Sequence, residues 1–331
     1  MTARFACLVL ATSLLSGCGL SEIEEKERDS YWNNGVFYFR NAHYESARDQ
    51  FEKALAIDED HYQALLGLGF ALVMMPEGNM LIDAGDVFLA CLDRNEDDPM
   101  AHLGYATVCF MMGVIHETDA GTKFDQAEEH RKISQDPQIS PEQKAHYGDL
   151  AADHDAKARQ SLDIAAQWFP KAHDALARAR ELDDKNPLLL QMLAFNQAKM
   201  GLDHFPQAID YFGQFVKMRE EDIATSRHNL DLMRKNESPT IIEEARVHEE
   251  IRLIEVEVRK ARSMTAWMYV MLSREPGADH DLYLAAALEQ VDRAGQLDPL
   301  HPSVHLNKAK LYGEEYKLAL GSKDNESALK Y

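Results

Sequence analysis

Three widely separated segments of this 331-residue chain repeat one register. Cys91, Ala179 and Ala294 are small, and each is followed eight residues later by a proline: Pro99, Pro187 and Pro302. Seven residues beyond each proline stands an alanine: Ala106, Ala194 and Ala309. Small residues at fixed intervals let two helices approach closely, and a proline at the first helical position pre-sets φ without removing a needed hydrogen bond. The register therefore constrains the chain to repeated helix pairs, stacked so that neighbours cover one another's apolar faces. Pro (11) and Gly (17) are sparse and no long stretch shows the β-branched alternation of a strand, which points to an all-helical chain.

The unit is clearest in Ser30–Tyr62, which reads as two amphipathic helices joined by a polar turn around Asn41 and His43. Gly35, Ala47 and Ala54 sit where the helices cross, and Tyr31, Tyr38, Tyr44 and Phe51 fill the space between them. This resembles a tetratricopeptide (TPR) unit, with small residues at repeat positions 8, 20 and 27 and aromatics near 4, 11, 17 and 24. Counting from Arg28 as position 1, all seven places hold the expected type; Asn34 and Glu59 depart from the pattern at positions 7 and 32. A second unit carries Leu65, Leu68, Gly69 and Leu72, then three extra residues around Met75–Gly78, then Ala84, Phe88 and Cys91. A third opens at Pro99, with Ala106 at position 8, Cys109 at 11 and Gly113 at the turn. The register returns in Ala172, Leu176 and Ala179, in Ala208, Phe212 and Phe215, and in Ala287, Val291 and Ala294. The fold class expected is all-α: a right-handed α-solenoid of TPR-like helix pairs with two irregular helical insertions.

The chain divides accordingly. Residues 30–113 hold repeats one, two and the start of three; 114–169 form an irregular insertion and long helix; 170–218 return to repeats. Residues 219–262 are an inserted long-helix region, and 263–331 a last repeat with a C-terminal capping helix. Within the first insertion we expect a loop at His116–Thr122, a weak helix over Phe124–Ile133, and a helix from Pro141 to Trp168 ended where Pro170 opens the next. In the second, a helix runs from Thr240 towards Leu272, with an apolar stripe of Ile241, Ile242, Ala245, Ile251, Ile254 and Val258.

Residues 1–17 read as a signal peptide: Arg4 gives a positive start and Phe5–Leu15 an apolar run too short to span a bilayer. The ending Leu15-Ser16-Gly17-Cys18 resembles the bacterial lipobox, which implies diacylglycerol on the Cys18 thiol and a membrane anchor that does not span. Residues 18–29 then form a lipidated tether. By the same resemblance, Gly19 implies sorting to the outer membrane facing the periplasm in a Gram-negative cell, and otherwise a place in the cell envelope. Cys91 and Cys109 fall on packing positions; export leaves a bridge between them as the second reading beside burial as small apolar residues.

The net charge of -21 repels phosphate backbones and disfavours nucleic acid as a partner. No phosphate loop, zinc-protease motif or nucleophile elbow occurs, so we expect no enzyme, no cofactor and no metal. The TPR resemblance implies that first-helix positions 2, 5, 9 and 12 line a concave groove. They give Trp32, Val36 and Phe39; Leu66, Phe70 and Val73; and Met100, Leu103, Thr107 and Phe110. These are apolar where the carboxylate-clamp type carries Lys, Asn and Arg. An apolar groove is covered or used: by a partner helix or extended peptide, or by an inserted helix (141–168 or 240–262) folding back. The expected function is a membrane-anchored scaffold or adaptor for a protein partner in the cell envelope. The second reading is a binding component holding a small hydrophobic ligand in the groove. Envelope TPR lipoproteins that resemble the chain in anchor and repeat type include secretin pilotins and subunits of the β-barrel assembly machine.

Overall fold

The computed structural model describes residues 20–75, 79–236, 239–298, 306–308, 310–311 and 313. The described residues form ten α-helices and one 3-10 turn: α1 (Glu22–Arg40), α2 (Tyr44–Ile57), α3 (Tyr62–Val73), α4 (Met80–Arg94), α5 (Pro99–Ser134), α6 (Pro141–Leu182), α7 (Pro187–Met200), α8 (Phe205–Asn236), α9 (Ile241–Ser273) and α10 (His280–Leu297), with the 3-10 turn at Leu202–His204. Two compact units divide the chain at residues 119 and 120, within α5. The fold is all-α, built of TPR-like helix pairs.

In the first unit the pairs are α1 with α2 and α3 with α4, and α2 also packs on α3. One phenylalanine from each second helix holds the stack. Phe51 of α2 is buried against both Gly35 of α1 and Gly67 of α3: a Cβ added at either glycine would fall 2.5 and 2.7 Å from the ring. Phe88 of α4 repeats this against Gly69 of α3 and Gly104 of α5. Each ring therefore wedges between two successive first helices, touching a glycine at position 8 of its own repeat and position 6 of the next. Removing either ring would cost about 3–5 kcal/mol by lost burial and the cavity left behind. Between helices, Arg28 pairs with Asp58 at 2.9 Å, and the Tyr62 hydroxyl donates to Asp98 at 2.6 Å, so turn and helix start are tied.

Helix starts follow the sequence signals. Ser21, Ser140 and Thr240 each open a capping box, with Glu24, Gln143 and Glu243 reaching back to the cap backbone. The first of these makes Glu22–Asp29 helical, although the stretch reads as tether. The α1–α2 turn holds Ala42 at φ 59, in the left-handed region.

The second unit corrects the two insertions. No loop breaks 116–122: α5 runs unbroken for 36 residues, through Gly113 and Gly121. Glycine in a helix costs only about 1 kcal/mol against alanine, less than the packing gained. Pro170 does not open a helix but lies inside α6, a 42-residue helix. Asn196 of α7, wholly buried, donates to the Phe169 carbonyl at 2.9 Å beside this proline, whose missing N–H leaves the Ala166 carbonyl without its helical donor. The boundary drawn at 218 and 219 falls inside α8, which continues to Asn236.

Each insertion is thus the outer half of two neighbouring helices, folded as an antiparallel hairpin. In the first, Lys123 meets Ser161 at 3.0 Å and Arg131 meets Asp155 at 2.8 Å; the His130 ring lies between those of Tyr147 and His154. Its buried seam is small: Ala120 and Ala127 on α5, Ala151, Ala158, Ser161 and Ala165 on α6. In the second, Arg219, Arg227 and Arg234 pair with Glu257, Glu255 and Glu244. Its seam is large: Phe215, Val216 and Ile223 of α8 share a cluster with Ile251, Ile254 and Val258 of α9. The buried residues of 141–168 and of 251–258 therefore lie on seams with their own hairpin partners. Ile241, Ile242 and Ala245, expected in the second stripe, are exposed.

Candidate partner-binding face

The groove residues expected from the repeat pattern fall on three helices of the first unit: Trp32, Val36 and Phe39 on α1, Leu66, Phe70 and Val73 on α3, and Met100, Leu103, Thr107 and Phe110 on α5. The two phenylalanine wedges hold these helices, since α1 and α3 share Phe51 while α3 and α5 share Phe88. Eight of the ten residues keep part of their surface open. Two do not. Leu103 is 3% exposed and Val73 8%, so both belong to the core. Val73 packs with Leu72, Leu81 and Val108, and Leu103 sits beside Gly104, where α5 closes tightly over the Phe88 ring.

Three of the open eight are aromatic rings in contact with other rings. The Trp32 ring lies 6.2 Å from that of His61, Phe39 is edge-on to Tyr44 at 5.4 Å, and Phe70 is edge-on to Phe88 at 5.0 Å. Fixed aromatic rings lose little entropy on binding, which is why such residues anchor interfaces. Thr107 donates its hydroxyl to the Leu103 carbonyl at 2.8 Å, so its polar group is already satisfied within the helix. Met100 at 39% exposure is the most open of the set. The face offers apolar contact and no cluster of cations.

At its edge, His61 caps α3, its Nδ1 accepting from the Ala64 amide at 3.1 Å. Burial, helped by the Arg28 charge, lowers the His61 pKa, so the ring stays neutral and keeps its acceptor. Burial and the bond to Asp98 raise the Tyr62 pKa. Cys91 and Cys109 are buried, unbridged thiols, which fits the reading as small apolar residues. Burial pushes the Cys91 thiol up to about 11, with Asp98 adding to the effect; it is a poor nucleophile at neutral pH.

Other candidates separate into local roles. Among the described residues, no group of three or more His, Cys, Asp or Glu is arranged to hold a metal ion. The sequence also holds two identical triplets, Asp153-His154-Asp155 and Asp279-His280-Asp281; Asp153 and Asp155 pair with Lys157 and Arg131, whereas Asp279 caps α10 by accepting from the Leu282 amide. Cys18, the expected lipidation site, lies outside the described residues, as do His301 and His305, which stand four residues apart as a histidine pair. The repeat reading missed Gly67 and Gly104, although both stand two residues before a position-8 small residue, Gly69 and Ala106.

No family model matches the chain, and no curated protein matches it. Among solved structures it is similar to TTC0263, a TPR protein of Thermus thermophilus, at 13% identity and TM-score 0.42, over 86% of this chain and 98% of that one. It is also similar to PilF of Pseudomonas aeruginosa, at 15% identity and TM-score 0.40, over 87% of this chain and all (100%) of that one. A third likeness is to the P58(IPK) TPR domain, at 13% identity and TM-score 0.24, over 92% of this chain and 93% of that one. The repeated wedge of Phe51 and Phe88, rather than these likenesses, carries the description of the helix pairs as TPR-like.

Proposed function

We propose that the chain is a non-enzymatic scaffold that holds a protein partner, as an amphipathic helix or extended peptide, on the apolar face of its first unit. One observation carries this reading: eight apolar or internally satisfied side chains keep open surface on α1, α3 and α5, helices that the two phenylalanine wedges hold together, and three of them, Trp32, Phe39 and Phe70, are fixed by ring contacts. Helix-in-groove recognition uses such rows of apolar anchors. The carboxylate-clamp mode is disfavoured on this face because the cations it needs are absent there.

The scaffold is tethered to an envelope membrane by lipid on Cys18, at the outer membrane facing the periplasm in a Gram-negative cell, and takes part in assembling an envelope complex. The support is the signal-like start and lipobox resemblance of residues 1–18. No helix among the described residues is long and apolar enough to cross a membrane.

Two substitutions test the parts separately. Phe70 packs on Phe88, so a charge there would damage the core; Met100→Glu with Thr107→Glu charges the face while sparing both wedges. A partner crosslinked and recovered with the unsubstituted chain should be lost with this double variant, and undiminished recovery from a folded variant contradicts the face. For the anchor, Cys18→Ala should leave the membrane fraction and take up no labelled palmitate; unchanged fractionation and labelling contradict the lipobox.

A further inference from the structure

Three polar side chains from three elements of the second unit close into one chain of hydrogen bonds. Gln197 of α7 is 4% exposed, and its amide is held at both ends. Its nitrogen lies 3.0 Å from Nδ1 of His173 on α6, and its oxygen 2.8 Å from Nδ1 of His204 in the 3-10 turn. An amide has one donating and one accepting end. In this orientation it donates to His173, whose Nδ1 carries no proton, and accepts from His204, whose Nδ1 carries one. Turning the amide over exchanges the two roles and changes nothing else. Either way one imidazole must be neutral, so the closed clasp holds at most one of the two protons that the pair takes up in acid. A second proton would set an imidazolium N–H against the amide N–H, and a buried amide cannot exchange the lost partner for bulk water.

We infer that Gln197, His173 and His204 form an acid-released clasp on the turn between α7 and α8. The sign follows from the proton count. Below the usual imidazole range, about pH 6.5, the open form binds two protons and the closed form one. The closed form is therefore fully favoured above that range and is lost as pH falls, by up to about tenfold per pH unit. Among the described residues neither imidazole forms an ion pair; the charged groups beside them in sequence are Lys171 and Asp174 on α6, Lys199 on α7, Asp203 in the turn and Asp210 on α8. What the clasp holds is a joint. The turn Leu202–His204 follows Gly201, at φ 114, and runs directly into Phe205, which is 3% exposed and whose ring lies 5.4 Å from that of Trp267 on α9. Releasing His204 frees the start of α8 and that ring contact, while the seam of Ile223, Ile251, Ile254 and Val258 further along stays packed. The clasp does not rest on the scaffold reading.

The test is amide hydrogen exchange of the full chain between about pH 8 and about pH 5, with each rate divided by the intrinsic chemical rate at that pH. Exchange over 201–208 should rise below about pH 6.5 relative to 251–258 of the second hairpin, by up to about tenfold per pH unit. Gln197→Glu replaces the two-ended amide by a carboxylate, which accepts from both Nδ1–H groups, so exchange over 201–208 should no longer rise in acid. His173→Asn keeps an acceptor that does not titrate and should flatten the profile too. No rise over 201–208, a rise shared equally by 251–258, or an undiminished rise in either folded variant overturns the proposal. The profile of the unsubstituted chain decides the matter even if neither variant folds.

Discussion

The two hairpins of the second unit solve one problem with opposite side chains. In the first, α5 and α6 meet along Ala120, Ala127, Ala151, Ala158 and Ala165, so the helices are held by close backbone approach and by polar contacts at the seam's edges. In the second, α8 and α9 meet through Ile223, Ile251, Ile254 and Val258, and each added methylene contributes burial. Both are antiparallel extensions of repeat helices and both are flanked by Arg–carboxylate pairs. The difference teaches that a seam is specified by volume as much as by hydrophobicity. A small seam tolerates no addition and a large seam tolerates no removal.

Reciprocal substitutions break or sharpen that contrast. The largest effect expected is Ile254→Ala, which should destabilise the second hairpin by about 2–5 kcal/mol. Amide hydrogen exchange should then rise in peptides covering 219–236 and 241–258, while 120–134 keeps its protection. Loss confined to the first hairpin would sink the assignment. Next is Ala158→Leu. It falls midway between the Lys123–Ser161 and Arg131–Asp155 contacts, where Ala127 and Ala158 are both fully buried. Overpacking should cost about 1–3 kcal/mol, read as faster exchange over 120–134; a neutral or stabilising result would mean the seam is loose. The same leucine at Ala245 of α9, which is exposed, should be nearly silent. The smallest effects are Arg131→Gln and Arg227→Gln. These side chains are 43% and 60% exposed, so each should cost under about 1 kcal/mol and less at high salt. A larger loss at Arg131 than at Arg227 would show that the alanine seam leans on its polar edges.

The sequence made the helix pairs readable because their marks are local and repeat: Ala47, Ala54, Ala84 and Cys91 are buried where the register puts them. It was legible at helix starts too, since Ser140-Pro141 and Thr240 carry capping residues at the cap itself. It misled where a local breaker is overruled by a distant partner. Pro170 ends a helix by its own chemistry, yet Phe169, Ala172 and Leu176 around it are buried, so packing carries α6 through. Gly113 and Gly121 read as a turn because nothing nearby announces the alanine seam to come. That seam was nonetheless written in seven-residue steps, Ala120–Ala127 and Ala151–Ala158–Ala165, the same spacing that Ala47–Ala54 and Ala172–Ala179 show in the repeats. For the face itself, the ten residues taken from the repeat pattern lie on α1, α3 and α5. It could not tell Leu103 and Val73, which are buried, from neighbours such as Met100, because burial there depends on how closely Gly104 admits Phe88.

The central claim is that the apolar side of α1, α3 and α5 is the surface that takes a protein partner. Met100 on that side and Leu89 on α4 are comparably exposed apolar residues, 39% and 43%, and differ in the helix that carries them. A photo-crosslinking amino acid placed at each in turn, in cells, compares the two helices at matched exposure. The account predicts a discrete adduct from position 100 and none from position 89. Adducts of equal yield from both, or none from position 100, would contradict it.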